Sequence, residues 1–125
     1  MPTDATSSYD DNNIFARILR GELPNQTVFE DEWTLAFHDT SPQAPIHILV
    51  IPKGAYVSWD DFTNKASDIE ITAFVRAIGN ISRDLGLVEL GYRLLTNIGI
   101  DANQMVPHLH VHIFGGKNMG PLLSR

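Results

Sequence analysis

Hydrophobic positions along this chain recur with two periods, one typical of helices and one typical of strands. Between residues 67 and 85 they recur mostly every three or four positions, which predicts a long helix that Gly86 ends. Asn13 can cap a second, short helix that carries an apolar face and ends at Gly21. Apolar runs between turn-forming residues predict strands at 27–30, 35–38, 46–51, 92–97 and 108–114.

The order of these elements predicts an α+β fold. We expect an antiparallel meander sheet covered by the one long helix, with the short helix at the N-terminus. Residues 1–12 are almost entirely polar, which predicts a flexible N-terminal tail. Residues 13–116 then form the domain, and residues 117–125 form a C-terminal tail.

The composition of the chain excludes several kinds of site and several classes of protein. The 125 residues suffice for one domain with a core, and the lack of cysteine excludes disulfides, thiolate zinc sites and a cysteine nucleophile. A net charge of −6 argues against a nucleic-acid groove, although not against a small phosphorylated ligand. Without a long apolar run or a basic-then-apolar N-terminus, we expect no membrane span, no signal peptide and a cytoplasmic location.

Three of the five histidines lie at alternate positions within residues 108–114, which read His-Leu-His-Val-His-Ile-Phe. In a strand, side chains two apart share one face, roughly 6.6 Å from each other. The pattern therefore predicts a row of imidazoles on one face and Leu109, Val111 and Ile113 on the other.

Three interpretations of this row remain open from the residues alone. It could be the polar outer face of a surface strand. It could bind zinc or copper as a His-x-His pair, with His47 as a third ligand and Asp39 or Asp101 as a fourth. It could also act on phosphorus, because a neutral imidazole is both a nucleophile and a leaving group. The loop at 98–107 would then offer backbone N–H groups to the phosphoryl oxygens.

Residues 108–114 resemble the signature of the histidine triad (HIT) family, in which three histidines alternate with apolar residues. Residues 14–24 resemble the family's opening helix and turn. Residues 39–53 are similar to the central motif of its nucleotide-binding branch, and Asn97, Gly99 and Gln104 follow at that branch's spacing. The resemblance implies an α+β homodimer without a cofactor that hydrolyses purine nucleoside 5′-phosphoramidates.

The resemblance also implies roles for single residues. His110 would be the nucleophile, with its other nitrogen held by the backbone carbonyl of His108. His112 would lie beside the phosphate and leaving group, and His47 would pair with the side chain of His108. The implied nucleotide-binding residues are Phe15, Ile18, Leu23, Phe37 and Thr40 around the base, Asp39 at the ribose hydroxyls, and Asn97, Asn103, Gln104, Met105 and Val106 at the phosphate. From the residues alone, Asp39 could simply form a turn, and His47 could be a buried structural histidine. The apolar residues Phe15, Ile18, Leu23 and Phe37 could simply belong to the core.

The chain departs from the branch at several positions. Met105 stands where a serine commonly contacts the leaving group, and Thr40 stands where isoleucine is usual. Gly120 falls near the place of a tryptophan found in animal members. Asn13 and Ala16 occupy the positions of two zinc-binding cysteines of some bacterial members, so we expect no metal there. Two alternatives remain: a diadenosine polyphosphate hydrolase of the same family, and a nucleotide-binding or interaction dimer with little turnover.

Overall fold

The structure is a computed structural model that describes residues 1–123. The last two residues of the predicted C-terminal tail therefore lie outside the described residues. The elements are α1 (Ile14–Leu19), β1 (Thr27–Glu30), β2 (Thr34–His38), β3 (Ile46–Pro52), α2 (Trp59–Lys65), α3 (Asp68–Asp84), β4 (Arg93–Leu95) and β5 (Val111–Gly115).

The strands form one antiparallel sheet of five, in the order β1-β2-β3-β5-β4. The predicted α+β class and antiparallel sheet are confirmed. The first three strands form a meander, and β5 lies between β3 and β4, which leaves β4 at an edge.

Three elements differ from the sequence prediction. Helix α2 was not predicted, although Ser58 at its N-cap and two acidic residues in its first turn are typical of a helix start. Strand β4 is shorter than the predicted 92–97. Strand β5 begins at Val111, so only His112 of the three alternating histidines lies in a strand.

The two faces of the sheet serve different purposes. Ile48, Val50, Val111 and Ile113 lie on the face that packs against α3, whose Ser67–Glu70 capping box fixes its start. On β3 and β5 the alternate residues, among them His47, Leu49 and His112, point to the opposite face. That second face also carries Phe15 of α1 and Phe37 of β2.

The N-terminal segment, residues 1–12, is joined to the domain by backbone and side-chain hydrogen bonds. The backbone N–H of Thr3 donates to the carbonyl of Gln104 (2.6 Å), and the hydroxyl of Tyr9 lies 2.6 Å from Nδ1 of His108. These contacts were not foreseen in the polar composition of the segment. Among residues 1–123, no helix combines the length and apolar character needed to cross a bilayer.

Candidate active site

A cleft of about 1100 Å³ opens on the sheet face opposite α3. Its floor includes Phe15, Phe37 and Leu49, and its polar side includes His110 and His112. The cleft thus places apolar surface beside imidazoles, which is typical of a site for a small organic ligand.

His110 has one nitrogen held and one free. Its Nδ1 lies 2.8 Å from the carbonyl oxygen of His108, so Nδ1 carries the proton and donates it to that oxygen. In the neutral ring, Nε2 then holds a lone pair, and it has no hydrogen-bond partner among residues 1–123. The ring packs edge-on against Phe15, with centroids 5.0 Å apart. The expected role of the His108 carbonyl therefore agrees with the geometry.

A chain of hydrogen bonds determines which ring nitrogen carries the proton in His47 and in His112. The backbone N–H of Gln43 donates to Nδ1 of His47 (3.0 Å), so the proton of neutral His47 lies on Nε2. That Nε2 donates to Nδ1 of His112 (2.8 Å), which leaves the proton of His112 on its own Nε2. The cleft is thus lined by a ring with a bare nitrogen, His110, and a ring with an N–H, His112, with centroids 5.3 Å apart.

The expected pairing of His47 with the side chain of His108 is wrong. Strand register places His47 opposite Phe114, which makes His112 its diagonal neighbour on the same face. His108 precedes β5, and its fully buried ring is held at both nitrogens, by the Pro52 carbonyl (2.8 Å) and the Tyr9 hydroxyl. The three histidines therefore do not form one row on a strand.

Burial keeps these imidazoles neutral. Loss of water lowers the pKa of His108 to about 4, against the Pro52 hydrogen bond that raises it. Burial also lowers the pKa of His112 to about 4, with His110 and His47 adding to the effect. The pKa values of His110 and His47 are lowered by burial too, although Asp39 opposes this in both. At neutral pH the assigned tautomers are thus the populated ones.

Asp39 serves both as a turn former and as a group at the site. One carboxylate oxygen accepts the backbone N–H of Ser41 (2.7 Å), and the other lies 3.5 Å from Nε2 of His47. Asp39 also lines the cleft. Each carboxylate oxygen has more than one lone pair, so Asp39 can also accept hydrogen bonds from a ligand hydroxyl.

Asp39, His47 and His112 hold their ligating atoms within 4.8 Å of one another. Two imidazoles and a carboxylate suit a divalent transition metal. An ion would have to replace the hydrogen bond between His47 and His112, however. Of the His-x-His pair suggested by the sequence, only His112 belongs to this set, and neither His110 nor Asp101 is part of it.

The loop after β4 brings polar and apolar side chains to the rim. Gln104 organises it from within: its buried amide accepts from the Gly99 N–H (3.0 Å) and donates to the carbonyls of Val57 (2.7 Å) and Val106 (3.0 Å). Gly99 has a φ of 81°, a conformation that disfavours other residues. Gln104 therefore shapes the loop and does not line the cleft, contrary to its expected contact with phosphate.

Most expected nucleotide-binding residues do line the cleft: Phe15, Ile18, Phe37, Asp39, Thr40, Asn97, Asn103, Met105 and Val106. Leu23 does not, because the chain turns at that point and Pro24, Asn25 and Gln26 form the rim instead. Sequence reasoning also missed Ile14, His38, Gln43 and Leu49. Period-two alternation from His47 could have found Leu49, since residues two apart share a strand face.

Comparisons with known proteins agree with this architecture. A family model described as HIT domain matches residues 20–119. The chain is 58% identical over 118 residues to an uncharacterised 13.2 kDa HIT-like protein of Azospirillum brasilense, covering 94% of this chain and 97% of that protein. It is 35% identical over 114 residues to the purine nucleoside phosphoramidase of Escherichia coli strain K12, covering 91% and 95% respectively.

Solved structures give the same result. The HIT family hydrolase from Clostridium thermocellum matches with a TM-score of 0.83 at 39% identity, over 91% of this chain and 99% of that chain. A histidine triad protein from Clostridium difficile matches with a TM-score of 0.80 at 37% identity, over 93% and 100%. Since the family model spans most of the chain and the relatives are similar over nearly their full lengths, this chain belongs to the HIT domain family.

Proposed function

We propose that this chain is a hydrolase that cleaves the P–N bond of purine nucleoside 5′-phosphoramidates through a nucleotidyl-histidine intermediate. One observation carries the proposal: His110, whose Nε2 is bare, and the neighbouring His112, whose Nε2 carries a proton, line the same cleft. A nucleophile beside a proton donor is the arrangement that a two-step displacement at phosphorus requires.

In the first step, Nε2 of His110 attacks the α-phosphorus and the P–N bond breaks. The leaving nitrogen takes the Nε2 proton of His112 and departs as the amine. The imidazolium formed at His110 offsets the negative charge left on His112. In the second step, water attacks the phosphorus, its proton returns to His112, and His110 is released with the nucleoside monophosphate.

The cleft offers groups for each part of a nucleotide. Phe15, Phe37 and Leu49 form an apolar surface for a purine, and the carboxylate of Asp39 can accept hydrogen bonds from ribose hydroxyls. Asn97 and Asn103 also line the cleft, and their side-chain amides can donate hydrogen bonds to phosphate oxygens. The phosphoramidase relative from Escherichia coli supports the choice of substrate class.

The decisive experiment compares the unmodified protein with His110→Ala on adenosine 5′-phosphoramidate. We expect the substitution to lower kcat by roughly 10³-fold or more, since it removes the nucleophile itself. Binding of adenosine monophosphate, measured by calorimetry, is the control for an intact cleft. Acid quenching of the unmodified protein during turnover should trap a covalent adenylate by mass spectrometry. Near-normal turnover by His110→Ala would refute the mechanism.

Met105 favours a second candidate, a nucleotide-binding protein with little turnover. Its side chain is 60% exposed at the cleft and offers no proton to a leaving group. A substrate panel that includes diadenosine polyphosphates separates the alternatives. Tight binding of adenosine monophosphate with no hydrolysis of any member would favour the binding protein.

The proposal includes a homodimer. Strand β4 has an open edge, and beside it Val75, Leu94 and Leu95 are 52%, 48% and 37% exposed along an apolar groove with Trp59 and Ile98. A second copy would cover this surface. Phe74, Ile78 and Ile81 of α3 are instead buried in the chain's own core, because α3 packs on the sheet.

A further inference from the structure

The N-terminal segment reaches the histidines through a single side chain. Tyr9 lies four residues before Asn13, whose side chain caps α1 by accepting the N–H of Ala16 (2.9 Å). The Asn13 backbone N–H also donates to the carbonyl of Asp10 (3.2 Å), so the chain is fixed just after Tyr9. From this anchored position Tyr9 extends to His108, 99 positions away in sequence.

The direction of the Tyr9 hydrogen bond follows from its surroundings. Nε2 of His108 faces the Pro52 carbonyl, which can only accept, so Nε2 carries the proton of the neutral ring. Nδ1 is then an acceptor, and the Tyr9 hydroxyl donates to it at 2.6 Å. Burial raises the pKa of Tyr9, which keeps this hydroxyl protonated.

The hydrogen bond between Tyr9 and His108 is important because the backbone of His108 contacts His110. Its carbonyl oxygen accepts the Nδ1 proton of His110 and thereby fixes the tautomer of that ring. The His108 side chain, held between Tyr9 and Pro52, determines where this carbonyl lies. Without the hydroxyl, the fully buried Nδ1 would lose its partner, and the ring would be held at Nε2 alone and could change its orientation.

We propose that Tyr9 is a positioning residue of the active site, acting through His108 to hold His110 in its nucleophilic orientation. This inference rests on the proposed function. It makes the N-terminal segment part of the catalytic apparatus, although no residue of that segment lines the cleft.

The test compares Tyr9→Phe with Tyr56→Phe, a matched loss of one part-buried hydroxyl. Tyr56 donates to Glu70 (2.9 Å to the nearer oxygen), and its hydroxyl makes no hydrogen bond to a histidine among residues 1–123. We expect Tyr9→Phe to lower kcat for adenosine 5′-phosphoramidate about tenfold, with the affinity for adenosine monophosphate unchanged within about twofold. Tyr56→Phe should keep kcat, whatever it does to the melting temperature.

Nitrogen-15 NMR of the imidazoles supplies a readout that a purely structural role would not move. The unmodified protein and Tyr56→Phe should show His108 as a single tautomer with its proton on Nε2, and Tyr9→Phe should shift the Nδ1 signal and broaden or double the resonances. A Tyr9→Phe variant with unmodified kcat and unmodified His108 signals would overturn the inference. So would a loss of kcat with unchanged His108 signals. If the unmodified protein does not hydrolyse adenosine 5′-phosphoramidate, the result contradicts the proposed function and not the role of Tyr9.

Discussion

Replacing His108 by glutamine should remove a large part of the acid sensitivity of this fold. The buried ring has a pKa of about 4 in the folded protein, against 6.5 for the free side chain. Between these values the unfolded chain binds a proton that the folded protein excludes, so the folded state loses stability as the pH falls. Glutamine offers one donor for the Pro52 carbonyl and one acceptor for Tyr9 but does not titrate.

The magnitude follows from the two pKa values. A difference of about 2.5 pKa units corresponds to about 3 kcal/mol, at about 1.4 kcal/mol per unit. This stability is present in full above about pH 6.5 and is lost as the pH falls towards 4. At pH 4.5 the loss attributable to His108 amounts to about 2.5 kcal/mol of unfolding free energy.

The assay is urea unfolding at pH 7.5 and pH 4.5 for both proteins at one protein concentration. The quantity of interest is the difference between the two pH values, compared between variants. His112, whose pKa is also about 4, titrates in both proteins and therefore cancels from the comparison. We expect the unmodified protein to lose about 2.5 kcal/mol more than His108→Gln.

Equal losses in the two proteins would refute the reasoning. Such a result would mean that His108 is not excluded from protonation, and hence that its neutral form does not fix the direction of the Tyr9 hydrogen bond. A change at pH 7.5 alone does not bear on this point, since it reports how well glutamine packs.

Three further predictions concern the loop, the ligand and the dimer. Gln104→Ala should lower the unfolding free energy by about 2–4 kcal/mol in urea titrations, because its buried amide makes three hydrogen bonds; an unchanged midpoint would contradict this. The unmodified protein should prefer ribose substrates over 2′,3′-dideoxyribose substrates by about 1–3 kcal/mol in kcat/KM, and Asp39→Ala should bring the two kcat/KM values close together. Equal kcat/KM values for the two substrates in the unmodified protein would show that Asp39 does not bind the ribose. Leu95→Glu should convert the dimer to a monomer, measured by light scattering at micromolar concentration. The control Leu90→Glu changes a position that is 98% exposed and lies outside the groove, so it should leave the dimer intact. An unmodified protein that is already monomeric would contradict the proposed dimer.

Local patterns predicted the parts of this fold that depend on near neighbours. The three- and four-residue spacing between 67 and 85 corresponds to α3, which spans Asp68–Asp84, and the capping box of Ser67 and Glu70 forms as such sequences do. The apolar run at 46–51 corresponds to β3. Helix α2 was missed because its seven residues contain too few apolar positions to show a period.

The sequence predicted most residues of the cleft but only some of the hydrogen bonds between them. The alternating histidines and the family resemblance identified His110 and the His108 carbonyl, whose hydrogen bond spans two residues. The partner of His47 was assigned wrongly because it depends on the register between β3 and β5, which brings together residues 65 positions apart. Gln104 lies at the expected place in the chain, yet its amide points into the loop, where three backbone groups need partners.

By itself, the sequence determined the α+β class, the main helix, the central strands and the close spacing of three histidines. Those features follow from side-chain periodicity and residue type, which act over a few positions. Only the tertiary structure decided which nitrogen of each imidazole carries a proton, because Gln43, Pro52 and Tyr9 must first be brought to the rings. Tautomers depend on hydrogen-bond partners in space, and the polar N-terminal segment shows no periodicity that would place Tyr9 beside His108.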